Sequence, residues 1–179
     1  MRFLLLVLLF AFQINANARQ TGFGNDASVY LVRHAEKERG NDPVLTTAGN
    51  KRAGDLARVL KDKGIRHIYV TAFKRTENTG DSMRLQLGID TIHYIADTIG
   101  ADLLEKIKLH GDLNNPILII GHSNTVPATI RRLGIADYPL VYIPDKEFDN
   151  LFLLNFKGGK AILTKTRYGA VSATSATMH

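Results

Sequence analysis

Val29-Tyr30-Leu31-Val32-Arg33-His34-Ala35-Glu36-Lys37 is an apolar run that stops at an arginine, a histidine and a charged loop. The run is too short to cross a bilayer and reads as a buried strand. A strand apolar on both sides belongs to a sheet covered on both faces. Open sheets of that kind hold ligands at the carboxyl ends of their strands. Arg33 and His34 stand at that end.

A second run of the same kind, Ile117-Leu118-Ile119-Ile120-Gly121, delivers His122-Ser123-Asn124-Thr125, with a helix expected from about Val126 to Leu133. A third strand, Ile65 to Thr71, leads into Phe73-Lys74-Arg75-Thr76-Glu77-Asn78-Thr79 at the start of another helix. Between the first and third strands, Leu45-Thr46-Thr47-Ala48-Gly49 opens a helix, with Thr46 or Thr47 as N-cap. Ala53, Leu56, Val59 and Leu60 recur on one face of that helix, and Gly64 closes it. Ile89 to Ile95 reads as a short strand and Thr98 to Leu109 as a helix. Leu151 to Phe156 and Ala161 to Thr166 flank Lys157-Gly158-Gly159 and read as a closing hairpin. Strands alternating with helices predict an α/β protein: three layers, α/β/α, around a mostly parallel sheet.

The chain of 179 residues has an ordinary globular composition, 45% hydrophobic and 22% charged. One domain is expected over 28–170, after a linker at 19–27 and before a flexible tail at 171–179. The start differs from the rest. Met1-Arg2, an apolar stretch from Phe3 to Phe12, and Ala16-Asn17-Ala18 form the three parts of a secretory signal peptide, residues 1–18. Its apolar stretch falls short of the ~20 residues that span a membrane. The expectation is therefore an exported protein, periplasmic or secreted, with no stable membrane insertion after cleavage near Arg19; the alternative is that the segment is retained as an N-terminal anchor. There is no cysteine, which excludes disulfides, thiol catalysis and thiolate metal sites. A net charge of +6 favours anionic partners. No basic block or basic-aromatic ladder is present, so nucleic acid is not expected.

Parallel strands put their carboxyl ends on one edge, so Arg33, His34, Arg75 and His122 converge there from three separate segments. Two guanidiniums offer planar forks to phosphate oxygens. Helix starts after Arg75 and after His122 add N–H groups and positive dipole ends. A neutral imidazole among them has a nitrogen lone pair that can attack phosphorus and form a phosphohistidine. The cationic surround would stabilise charge on the transferring oxygens. The same cations disfavour a metal ion. His67, His93, His110 and His179 lack such context and read as structural or solvated.

Leu31-Val32-Arg33-His34-Ala35-Glu36-Lys37, Leu45-Thr46-x-x-Gly49, Arg75-Thr76-x-x-Thr79 and Gly121-His122-Ser123-Asn124, in this order, resemble the histidine phosphatase superfamily, the phosphoglycerate mutase-like fold. The resemblance implies that His34 becomes phosphorylated, that Arg33 and Arg75 bind the phosphoryl group, and that His122 contacts the same group. It implies that Asn124 lines the pocket, that Lys37 adds a basic substrate contact, and that the reaction needs no metal or other cofactor. Two departures stand out. Ala35 replaces the family's usual glycine, as in short bacterial relatives. Glutamate is missing between Gly80 and Gly100, where the mutase-like branch keeps its proton donor, and His122-Ser123 replaces the His-Asp of the acid phosphatase branch. Glu36 and Asp97 are left as candidate acids. The expected activity is hydrolysis of a phosphomonoester on a phosphorylated small molecule, an envelope saccharide or a phosphoprotein. The alternative is a non-catalytic phosphate-binding module.

Overall fold

Residues 22–172 are described by a computed structural model of the chain. In order, the elements are β1 (Ser28–Arg33), α1 (Thr47–Leu60), β2 (His67–Val70), α2 (Lys74–Leu87), β3 (Thr91–His93), α3 (Ala101–Leu109), β4 (Ile117–Gly121), α4 (Thr125–Arg132), β5 (Asn150–Lys157) and β6 (Lys160–Arg167). One sheet has the order β3-β2-β4-β1-β5-β6. The first four strands are parallel, and β5 and β6 are antiparallel. This is the expected α/β/α arrangement.

Two-residue alternation divides the sheet residues between the faces. Tyr30, Val32, Ile68, Val70, Leu118 and Ile120 pack with Leu56 and Leu60 of α1 and Met83 of α2. Val29, Leu31, Tyr69, Ile117 and Ile119 pack with Leu103 and Ile107 of α3 and Val126 and Ile130 of α4. Strand β1 sits between β4 and β5 with both faces covered, so Leu31 and Val32 are fully buried. Each such side chain contributes about 2 kcal/mol. That burial makes β1 a rigid base for Arg33 and His34.

Local chemistry sets the element ends nearest that edge. Thr46 caps α1 by accepting the Gly49 N–H at 3.0 Å. Gly49 is required for close approach, because a Cβ there would lie 2.1 Å from the Glu36 carbonyl oxygen. Helix α2 begins after Phe73 with no cap from that residue, and Asp42 accepts the Lys74 N–H at 2.9 Å. Helix α3 starts at Ala101 rather than Thr98, because the Asp97 carboxylate accepts the N–H groups of Ile99 and Gly100 and turns the chain first. Helix α4 starts at Thr125, whose hydroxyl accepts the His122 N–H at 2.9 Å.

The boundaries at both ends differ from the expectation. Phe23, placed in the linker, is buried and stacks on Phe156 with ring centroids 4.4 Å apart; Ala27 is buried with it. Ser172, placed in the flexible tail, is also buried. It accepts the Phe148 N–H at 2.9 Å and donates its own N–H to Asp149 at 3.1 Å. The signal-peptide segment and residues 173–179 lie outside the described residues. Among the described residues no helix is long and apolar enough to cross a membrane.

Candidate active site

Strands β1 and β4 are neighbours in register, with Arg33 opposite Gly121. The His34 N–H donates to the Gly121 carbonyl at 2.9 Å, so the ladder continues through the nucleophile candidate. One residue further on, the Ala35 N–H donates to the Thr79 hydroxyl at 2.9 Å, and that hydroxyl donates to the Arg75 carbonyl at 2.7 Å. Thr79 therefore ties the end of β1 to the first turns of α2. The His34 and His122 rings lie 5.5 Å apart. Arg75 reaches His122 from α2, its Nη2 donating to Nδ1 at 3.4 Å. The four residues do converge at the carboxyl edge.

Donor and acceptor chemistry fixes both imidazole tautomers. His34 Nδ1 lies 2.8 Å from the Ala35 carbonyl oxygen. A carbonyl only accepts, so Nδ1 carries the hydrogen and the lone pair is on Nε2. At His122 the guanidinium of Arg75 only donates, so Nδ1 holds the lone pair there. His122 Nε2–H then donates to the Thr71 hydroxyl at 2.9 Å. Thr71 donates onward to Thr76 at 2.9 Å, and Thr76 donates to the carbonyls of Phe73 at 2.8 Å and Thr71 at 2.9 Å.

Both guanidiniums are braced on one side. Arg33 Nη1 donates to the carbonyls of Pro144 (2.9 Å), Asp145 (3.0 Å) and Glu147 (3.3 Å), and its plane lies over Phe148, 4.5 Å from the ring centre. Arg75 lies over Phe73, 4.2 Å from the ring centre. The Nε of each arginine is buried with no hydrogen-bond partner. Buried donors without partners are uncommon, and two of them on permanent cations fit an incoming oxyanion.

The field matches. Burial, opposed by the Ala35 hydrogen bond and assisted by Arg33, His122 and Arg75, lowers the His34 pKa to about 3. Burial, then Arg75 and Arg33, lowers that of His122 to about 4. Burial also lowers both arginines from their ordinary value. Both imidazoles are therefore neutral at pH 7, and the charge of the pocket is that of the two arginines.

Of the other candidates, Glu36 and Asp97 are engaged elsewhere and Lys37 and Asn124 are exposed. Glu36 is not a free acid. Its carboxylate accepts from Arg52 Nε (3.0 and 2.8 Å) and Nη2 (2.7 Å), and Arg52 also donates to the Tyr168 and Ala170 carbonyls. Asp97 is occupied by its own turn. Lys37 is exposed, and its amine approaches the Glu38 carbonyl at 3.5 Å. Asn124 is an exposed N-cap residue with no side-chain cap bond. His67 pairs with buried Asp112 at 2.7 Å at the amino end of β2, on the opposite edge of the sheet. His93 pairs with Glu77. Among the described residues no group of three His, Asp or Glu is placed to hold a metal ion.

Sequence reasoning missed the roles of Thr71, Phe73, Phe148 and the carbonyls of Pro144, Asp145 and Glu147. A threonine or a phenylalanine near a strand end is unremarkable by type, and carbonyls leave no sequence signal. Thr76 and Thr79 were visible as part of a motif, without a role.

One family model matches the chain over residues 29–97, the part holding Arg33, His34 and Arg75. The family is the histidine phosphatase superfamily, branch 1. Solved structures extend the likeness across the rest of the fold. SixA from Agrobacterium tumefaciens, a candidate phosphohistidine phosphatase, superposes with a TM-score of 0.58 at 20% identity, covering 81% of this chain and 97% of that one. SixA from Nakamurella multipartitia, also a candidate phosphohistidine phosphatase, gives 0.59 at 16%, covering 81% and 96%. An Entamoeba histolytica phosphoserine phosphatase mutant in complex with phosphoserine gives 0.56 at 16%, covering 85% and 100%. At these identities the likeness is one of fold. No curated protein matches the chain in sequence. His34 and His122 follow the carboxyl ends of the neighbouring strands β1 and β4, which explains why residues so far apart in sequence share a pocket.

Proposed function

We propose that this superfamily member is a phosphatase that works through a phosphohistidine on His34, without a metal ion. The observation that carries the reading is the tautomer of His34. Its Nδ1–H is spent on the Ala35 carbonyl, which leaves Nε2 as an unshared lone pair beside two guanidiniums with buried, unpartnered Nε–H groups. In the first step Arg33 and Arg75 take the phosphoryl oxygens. Nε2 attacks phosphorus, the bond from phosphorus to the leaving group's oxygen or nitrogen breaks with its electron pair leaving on that atom, and phospho-His34 forms. In the second step water attacks phosphorus, the P–N bond breaks, and phosphate leaves. Because Glu36 is locked to Arg52, leaving groups that need little protonation suit the site best: aryl or acyl phosphates, or phosphoramidates. The net charge of +6 and the signal-like start favour an anionic phosphorylated substrate outside the cytoplasm, a small molecule, an envelope saccharide or a phosphoprotein.

Turnover of an aryl phosphate tests this. It should resist chelator, be blocked by vanadate and vanish in His34→Ala. Enzyme quenched in alkaline denaturant should carry phosphate in an acid-labile, base-stable linkage. The binding of Glu36, the carboxylate nearest His34 in sequence, to Arg52 favours one competing reading, a phosphate-binding module of the same fold. Retained phosphate binding with no turnover of any phosphomonoester, phosphoramidate or acyl phosphate would establish that instead.

A further inference from the structure

We infer that Thr71 is a positioning residue that makes His122 take up one proton whenever a phosphate-like dianion binds. The inference rests on the phosphate reading of the site but not on turnover. An imidazolium has two N–H donors, and burying one of them unsatisfied costs most of the benefit of the charge. At His122 one donor already has its acceptor, since Nε2–H ends on the Thr71 hydroxyl at 2.9 Å. That hydroxyl can accept without conflict because its own hydrogen passes to Thr76, whose hydrogen ends on backbone carbonyls. Thr71 and Thr76 are both buried, so no exposed rotor or bulk water competes in this relay.

The other nitrogen, Nδ1, lies beside Arg75 and holds a lone pair. In the empty pocket a proton there would stand against Arg75 from α2 and against Arg33 from β1. His34, also from β1, is neutral, and Phe73 meets the His122 ring edge to face at 5.4 Å. Among the described residues no carboxylate bonds to His122. A bound dianion reverses the balance. It draws both guanidiniums onto its oxygens and offers Nδ1 an acceptor. Nδ1–H then completes the second hydrogen bond of an imidazolium whose first is already in place. His34 also has one donor satisfied, Nδ1–H on the Ala35 carbonyl at 2.8 Å, so the ring that takes the proton is part of the test: uptake at His34 Nε2 in place of His122 Nδ1 overturns the inference.

Tungstate is the probe, because it is a tetrahedral dianion that carries no proton of its own near neutral pH. Titration calorimetry in two buffers of different ionisation enthalpy, about pH 6.5, near the ordinary histidine pKa, counts protons taken up per tungstate. Ring ¹⁵N–¹H correlation spectra identify the nitrogen. The wild-type protein is expected to take up about one proton, with His122 changing from Nε2–H alone to both nitrogens protonated. Thr71→Val removes the acceptor and should lower the proton affinity of His122 in the complex about tenfold. Uptake then falls, and tungstate binding no longer tightens as the pH is lowered. Thr71→Ser should restore both. Thr76→Val, which leaves the Thr71 hydroxyl in place without its onward acceptor, should give a smaller loss in the same direction and serves if Thr71→Val does not fold. A purely structural Thr71 would weaken binding equally at every pH. Binding without proton uptake, or unchanged uptake in folded Thr71→Val, overturns this inference alone. Failure of wild-type protein to bind tungstate overturns the phosphate site itself.

Discussion

Glu36→Gln separates a catalytic acid from a structural carboxylate. Arg52 is 4% exposed and Glu36 24% exposed, and three N–H···O contacts of 2.7 to 3.0 Å join them. Glutamine removes the charge and turns an amide donor toward a guanidinium that only donates. Breaking a buried ion pair from one side costs about 3–5 kcal/mol; with a quarter of Glu36 in water, about 3 kcal/mol is expected here. For a chain of this size that lowers the melting temperature by roughly 6–12 °C. Below the new melting temperature, turnover of an aryl phosphate should stay within about threefold of wild type, because His34, Arg33, Arg75 and His122 are untouched. The ratio of alkyl to aryl phosphate turnover should not move. Loss of a general acid behaves in the opposite way, slowing poor leaving groups by about 10²- to 10⁴-fold. A thermal melt and two substrates suffice. A Glu36→Gln protein with wild-type stability and a selective collapse of alkyl phosphate turnover would refute the structural reading.

Other outcomes follow from the same geometry. Gly49→Ala places a Cβ 2.1 Å from the Glu36 carbonyl, so backbone must shift; a loss of about 2 kcal/mol is expected in denaturant melts, from the cost of overpacking. Thr79→Val removes the acceptor of the Ala35 N–H and should cost about 1–3 kcal/mol, with a turnover loss larger than that of Glu36→Gln because the end of β1 loses its tie to α2. The pKa values of His34 and His122, about 3 and about 4, are lowered on folding. The unfolded chain, with histidines near 6.5, then binds more protons between about pH 3 and 6.5. Stability of the ligand-free protein should therefore be complete above about pH 7 and fall steadily as the pH drops through that window. His34→Gln should flatten the slope, and a wild-type melt independent of pH from about 7 to 4 would contradict the buried neutral imidazoles.

The sheet was legible because its residues carry their own instructions. Ile117 to Ile120 and Val29 to Val32 are apolar at every position, and only a strand covered on both faces accommodates that. The hairpin was legible from Gly158 and Gly159, both at positive φ. Arg33, His34, Arg75 and His122 were legible because each follows or ends a strand, and parallel strands share an edge. The general acid was left open by the sequence: a glutamate two residues after His34 is a reasonable candidate by position, and only the structure shows Arg52 holding its carboxylate. Nothing in the residue type of Arg52 marks it as a core residue of α1, yet it is buried. Phe23 and Ser172 were misplaced for a related reason, since polar neighbours hide a single residue that packs inward.

The sequence by itself determined the secondary structure, the layering and the identity of the four groups at the strand ends, because these follow from apolar periodicity and from residue type. Only the tertiary structure decided which nitrogen of each histidine is free, which carboxylates are spent and what braces each arginine. Those are properties of pairs distant in sequence. Thr71 meets His122, Glu36 meets Arg52, and Arg33 meets the carbonyls after Pro144 only once the sheet has brought the segments together. A hydrogen bond is directional over less than an ångström, and no pattern along a single chain carries that distance.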